Sequence, residues 1–168
     1  TNTNLSSNLV AISEIMRYQC PIFSMKTTTL PQLTLEDLLP HRGAMMLISE
    51  ILEVDRKHAL TVCCVGRSWP MAGEMGVQAL ILVELAAQTA GVCNGWDRIH
   101  TKGLDSDATG WLVGIKKAEF LVDYLPFDGN VVSRSENIHV FENLREVACE
   151  HHMDGKLIGR VTLQLFQA

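Results

Sequence analysis

The sequence predicts an α+β fold in which a curved antiparallel β-sheet wraps around one central apolar α-helix. Three observations predict it. The stretch Val77 to Cys93, VQALILVELAAQTAGVC, has only Gln78, Glu84, Gln88 and Thr89 as polar residues and no glycine or proline before Gly91. Such a run is long enough for a helix and too apolar for a surface. From Gly110 onward the chain divides into strand-like segments separated by turn signals. In the last of these, Leu157, Val161, Leu163 and Leu165 share one side while Arg160, Thr162 and Gln164 share the other, so one sheet face is buried. Strands curved around the helix would satisfy both requirements.

The elements follow in order. Residues 1–30 have a Ser/Asn/Thr-rich start, an amphipathic run from Leu9 to Tyr18, Pro21 and the tract Thr27-Thr28-Thr29. They are expected to be a loosely attached extension without the features of a signal peptide, and Met25 is the expected natural start. Residues 31–168 are expected to form a single domain. A helical turn over Leu35 to Leu39, with Thr34 as its N-cap, should stop at Pro40. Met45 to Val54 and Ala59 to Val65, flanking Asp55-Arg56-Lys57-His58, predict a hairpin. Gly66 to Met75 is an irregular loop delivering the chain to the apolar helix, and Asn94 to Ala108 is expected to be loop-like, with Trp96 and Ile99 tucked back. Strands are then expected over Gly110 to Phe120, Asn130 to Phe141, Leu144 to Met153 and Lys156 to Phe166. The Asp154-Gly155 pair suits a tight two-residue hairpin turn with positive φ.

Composition excludes several function classes. The chain has 168 residues, 47% of them hydrophobic, and a net charge of −5. A nucleic-acid partner would need a concentrated basic face. A membrane span needs ~20 apolar residues, and the central run is shorter and carries a Glu and two Gln. The five cysteines, Cys20, Cys63, Cys64, Cys93 and Cys149, form no C-x-x-C, and no Cys/His grouping has metal spacing. Reduced thiols in a cytoplasmic protein are the expectation.

Two motifs carry a family resemblance. Leu39-Pro40-His41-Arg42, followed by Met45-Met46-Leu47-Ile48, resembles the Leu-Pro-His-Arg opening of the hot-dog fold dehydratases that act on 3-hydroxyacyl groups carried on acyl carrier protein. The segment Leu80 to Gly91, with Glu84 and Gln88 four residues apart, is similar to that family's central helix. The likeness extends from Leu35 to Ala168 in the order of elements. One departure is plain: the family's His-Phe-Pro stretch before the helix, which holds its catalytic His, corresponds here to Ser68-Trp69-Pro70, or to Pro70 alone in an ungapped alignment. The aryl polyene-type dehydratase-like subgroup also lacks that stretch, and this sequence resembles it. The resemblance implies a hot-dog fold, no cofactor, and a homodimer or a heterodimer with another hot-dog protein, joined edge to edge with sites between protomers.

Removing water from a 3-hydroxyacyl thioester takes a base, an acid for the departing hydroxyl and a donor to the thioester oxygen. Glu84 is the acid or base candidate, its carboxyl expected to be raised in pKa by the apolar helix around it; a structural pairing is the alternative. His41 could replace the missing base or could fix its loop by hydrogen bonds. Gln88, one turn from Glu84, could bind substrate or brace the carboxylate. Gly76 is expected at the helix N-terminus, presenting a backbone N–H to the thioester oxygen, or is a plain loop glycine. Met45, Met46, Met71 and Met75 could line an acyl tunnel or fill the core. Arg98, Lys102, Lys116 and Lys117 are candidate contacts for an acidic carrier protein, or a solvated face. Three functions remain open: a dehydratase acting on carrier protein or coenzyme A thioesters, a hot-dog thioesterase using Glu84 to activate water, and a non-catalytic subunit of a dehydratase complex.

Overall fold

Helix α1 (Leu35–Leu38) opens on a capping box, in which the Thr34 hydroxyl accepts the Asp37 N–H and the Asp37 carboxylate accepts the Thr34 N–H. It ends where Leu39 turns extended, as expected of a residue that precedes proline. The structure is a computed structural model and describes residues 33–167; the expected extension, its Leu9 to Tyr18 run and the start at Met25 lie outside them.

After a 3-10 turn at Gly43–Met45 come β1 (Glu50–Val54), β2 (His58–Cys64), β3 (Ala72–Gly73) and β4 (Gly76–Gln78). The long helix α2 (Ile81–Lys102) follows, then β5 (Gly110–Phe120), β6 (Tyr124–Leu125), β7 (Asn130–Phe141), β8 (Leu144–Met153) and β9 (Lys156–Gln167). The main sheet is six-stranded and antiparallel, in the order β1-β2-β7-β8-β9-β5, while β3, β4 and β6 make a small second sheet. This is the curved sheet around one apolar helix that the sequence predicts. Asp154 and Gly155 both have positive φ in the β8–β9 turn, as that hairpin requires.

The helix is displaced from its expected span. Val77 to Ala79 precede it because Gly76–Gln78 pair with Tyr124–Leu125, and the Ala79 N–H donates to Asp123 O at 2.9 Å. A short apolar run is compatible with either a strand or a helix, so periodicity alone does not separate them. At the other end the expected loop from Asn94 is helical to Lys102, because Asn94 and Arg98 are buried with hydrogen-bond partners and Trp96 and Ile99 pack on the core. Gly103, with φ 91°, closes the helix through its N–H to Ile99 O. Among the described residues no helix is long and apolar enough to cross a membrane.

Leu82, Leu85, Ala86, Ala90 and Val92 of α2 have no solvent exposure and form the centre of the core. Ala86 packs with Cys149, Val161 and Leu163 of the sheet. A fully buried Leu contributes about 1.5–3 kcal/mol over an exposed one. On another face of α2, Gly91 and Gly95 receive the chain that leaves α1: a Cβ at Gly91 would sit 2.6 Å from Leu39 Cδ2, and one at Gly95 would collide with the Leu38 carbonyl. The segment Leu38 to His41 therefore lies directly on the helix.

Cys63, Cys93 and Cys149 are free and buried, and burial pushes the thiols of Cys63 and Cys93 up to about 12. Cys64 is disulfide-bonded, which corrects the expectation of reduced thiols throughout. Strand β5 is a sheet edge, with Trp111, Leu112, Val113 and Ile115 exposed along it.

Candidate active site

The Leu39 to Arg42 motif has a local mechanical logic. Pro40 ends α1, and Arg42 donates from Nη1 to Leu39 O and His41 O, each at 2.7 Å, and from Nη2 to Glu36 O at 3.0 Å. The bend is thereby tied by three carbonyls. Seated on Gly95 and Gly91, the segment runs antiparallel to α2 and brings His41 beside the first turn of the helix. There His41 Nε2 lies 3.0 Å from Glu84 Oε1. Both side chains are partly exposed, whereas His41 Nδ1 is enclosed without a partner among the described residues.

Gln88, one turn along α2, is fully buried. Its Nε2 donates to Glu84 Oε1 at 2.8 Å and to Met45 O at 2.7 Å, while its Oε1 accepts the Leu47 N–H at 3.0 Å. Both of its N–H groups are thus spent on protein acceptors. The same bonds explain why Met45 to Leu47 is not strand: its backbone groups pair with a helix side chain, and β1 begins only at Glu50.

Glu84 departs from expectation. The hydrogen bond from His41 outweighs the upward push of burial and, with that from Gln88, holds the carboxyl below its ordinary range. Hydrogen bonding beats desolvation here because the carboxylate is only partly enclosed. Glu84 is consequently ionised at neutral pH. Its Oε2 accepts no hydrogen bond among the described residues.

A cavity of about 240 Å³ opens beside this pair. Its floor is one face of α2, from Glu84 through Ala87 and Gly91 to Arg98; Leu38 to His41 form one wall, and the start of β5 with the end of β9 forms the other. His41 and Glu84 are therefore together at the cavity, with Gln88 behind the carboxylate. Gly76 is elsewhere. It lies in β4 rather than at a helix N-terminus, with φ 133° and so close to Leu125 that a Cβ would strike its carbonyl, and it does not line the cavity. Met45, Met46, Met71 and Met75 do not line it either; Met71 and Met75 are exposed and Met46 packs on the core. Arg98 is only 3% exposed, so it is no surface contact for a carrier protein. Lys116 pairs with Glu146 at 2.8 Å and Lys117 with Glu119 at 3.7 Å. The sequence reading missed that Arg98 lines the cavity; its i, i+3/i+4 spacing from Glu84 through Gly91 and Asn94 was the available signal.

A curved antiparallel sheet wrapped around a single long helix defines the hot-dog fold, and this chain is a dehydratase-like hot-dog protein. A family model described as ApeP dehydratase matches residues 33–168. The chain belongs to this ApeP-like dehydratase family. Among solved structures it is similar to the dehydratase heterocomplex ApeI:P from Xenorhabdus doucetiae, with a TM-score of 0.74, 21% identity and coverage of 81% of this chain and 91% of that one. It is also similar to an HP0420 homologue from Helicobacter felis, with TM-score 0.61, 12% identity and coverage of 84% and 93%. A hypothetical thioesterase with coenzyme A from Streptococcus pneumoniae TIGR4 gives a TM-score of 0.54, 17% identity and coverage of 70% and 83%. A comparison with curated proteins finds no match.

Proposed function

We propose that the protein dehydrates 3-hydroxyacyl thioesters carried on acyl carrier protein or coenzyme A, using Glu84 and His41 as one acid–base pair. The observation that carries this reading is the 3.0 Å contact between His41 Nε2 and Glu84 Oε1 at the cavity, in a chain without the family's usual His-Phe-Pro histidine. The ionised carboxylate, through Oε2, takes the proton next to the thioester carbonyl. The C–O bond to the 3-hydroxyl then breaks, the proton returns through His41 to the departing oxygen, and water leaves with the enoyl thioester. Gln88 acts on substrate only through Glu84, whose orientation it holds. Gly76, in β4 and away from the cavity lining, has no role in this reading.

The heterocomplex form of the similar ApeI:P structure supports a second hot-dog protein as partner, with a homodimer as the other arrangement. The exposed apolar edge β5 is the surface for it, since an unpaired edge is a template for pairing. The cavity is small beside the ~300–1,000 Å³ of sites that enclose a ligand, as expected if a partner supplies a wall. Cytoplasmic action belongs to the same proposal, as the setting in which carrier-bound acyl groups would be met.

The experiment offers the protein, alone and with a hot-dog partner, a 3-hydroxyacyl thioester and its saturated counterpart, following enoyl formation and free thiol separately. Enoyl formation lost in Glu84→Gln and His41→Ala is the expected result. Free thiol from both substrates would instead favour a thioesterase, a reading that the ionised Glu84 also suits. No turnover in any combination, with a stable heterocomplex, would make this chain a non-catalytic subunit.

A further inference from the structure

The cavity has a second polar end that the acid–base pair does not use. Arg98 lines it fourteen residues after Glu84 on the same helix face, about 21 Å away at ~1.5 Å per residue. Its guanidinium is almost fully buried, yet it makes no ion pair among the described residues. Nη1 donates to Ser106 O and Ser106 Oγ at 2.7 and 2.8 Å, and Nη2 to Asp37 O at 3.0 Å. All three acceptors are uncharged. The carboxylates nearby are engaged elsewhere: Asp97 by Arg145 and Arg56, Asp37 by its cap on Thr34, and the exposed Asp107, which feels the Arg98 charge, by Thr109. Of five N–H donors, Nε–H and one on Nη2 have no acceptor among the described residues.

A buried cation without a carboxylate partner is costly to keep unless something else answers it. The neighbours at this end are polar as well, since Asn94 and Gln167 line the same part of the cavity and the Gln167 Nε2 donates to Asn94 O. The α2 floor of the cavity runs on from Glu84 to Arg98, so an acyl tail that follows it from a thioester held at Glu84 would reach Arg98. Between the two lie Ala87, Gly91 and Leu165, which are apolar or small and suit a hydrocarbon chain.

We infer that the cavity selects acyl chains whose far end bears an acceptor oxygen, a carboxylate or a hydroxyl, and that Arg98 is the residue that reads it. This inference rests on the thioester reading of the Glu84 end and adds the identity of the tail. Arg98 would be a specificity-determining residue, and a methyl-ended chain would leave its spare donors desolvated and unanswered.

The test uses unreactive amide analogues of one long-chain 3-hydroxyacyl pantetheine, ending in methyl, hydroxyl or carboxylate, titrated calorimetrically into the full chain. The hydroxyl- or carboxylate-ended chain should bind about ten-fold or more tightly than the methyl-ended one, and whichever of the two binds better identifies the terminal group. Arg98→Met should erase the preference, and Arg98→Lys should keep part of it. Because Arg98 also ties α1 to the loop at Ser106, Gln167→Leu, at the same end, should reduce the preference with the fold intact by circular dichroism. Equal binding of the three chains, or binding of none, overturns the inference. Turnover of the matching 3-hydroxyacyl thioesters is scored separately: equal turnover whatever the terminus sinks the tail selection and leaves the dehydratase, whereas terminus-selective binding without turnover sinks the dehydratase and leaves the tail site.

Discussion

Gln88 donates to Glu84 Oε1 at 2.8 Å from a position with no solvent exposure, and the same side chain accepts the Leu47 N–H. One buried amide therefore joins the orientation of the carboxylate to the path of the chain that enters β1. Replacing it removes a brace and leaves two backbone groups, Met45 O and Leu47 N–H, to find other partners. Gln88→Leu is expected to destabilise the protein by about 2 kcal/mol or more, since each unsatisfied buried group costs ~1–3 kcal/mol. Urea unfolding measures it, and an unchanged midpoint would contradict the described bonding.

The low pKa of Glu84 depends first on His41. His41→Ala should therefore raise the carboxyl toward or above its ordinary 4.5, because burial then acts with less opposition. The sign for stability follows. A carboxyl depressed in the folded state stabilises above its unfolded value and loses that contribution as pH falls through the folded value. The parent should thus lose stability below about pH 4.5 more steeply than His41→Ala, as NMR titration of Glu84 together with unfolding curves at several pH values would show.

His151 predicts a second, separate acid sensitivity. It is fully buried on β8 with Nδ1 2.8 Å from Ser133 Oγ, and burial, aided by His152, pushes its pKa down to about 3. The unfolded chain binds a proton that the folded chain refuses between pH 6.5 and about 3. Stability should fall with decreasing pH across that window, by at most ~1.4 kcal/mol per pH unit from this group. A His151→Gln variant, even if less stable overall, should show a flatter dependence between pH 6.5 and 4.

Core packing gives a reference point. Leu85 has no exposure and sits where α2 meets the sheet. Leu85→Ala is expected to cost about 2–5 kcal/mol. A loss below 1 kcal/mol in denaturant titration would mean that the helix is not the centre of the core.

Gly76→Ala tests backbone rather than burial. At φ 133° an L residue is strained, by about 1–3 kcal/mol, and here its Cβ would also meet the Leu125 carbonyl. Loss of stability with unchanged behaviour of the Glu84 end is expected, because Gly76 does not line the cavity.

The strand pattern was legible because its punctuation is local. Asp154-Gly155 and Glu142-Asn143 are short turns whose positive-φ residues leave little freedom, and β5, β7 and β8 run over the predicted residues. The helix was legible in kind and not in phase. Val77 is as apolar as Leu85, and only the distant Tyr124–Leu125 backbone makes its surroundings a strand. Asn94 and Arg98 look like loop residues until the partners that bury them, Asn137 and the Asp37 and Ser106 carbonyls, are brought in from elsewhere in the chain. Within the site, the Glu84 and Gln88 pairing follows from helical spacing. The His41 contact does not, because it lies 43 positions before Glu84 in the chain. The lowered pKa of Glu84 depends on that contact, so an argument from apolar surroundings alone pointed the wrong way.

The two glycines beneath the Leu38 to His41 segment set the height at which the imidazole rides over the helix. A single methyl at Gly95 would strike backbone rather than a side chain that could swing aside, so the strap would have to lift as a unit. The spacing of the acid–base pair is thereby governed from eleven residues away, by the absence of an atom, at a position that touches neither Glu84 nor His41.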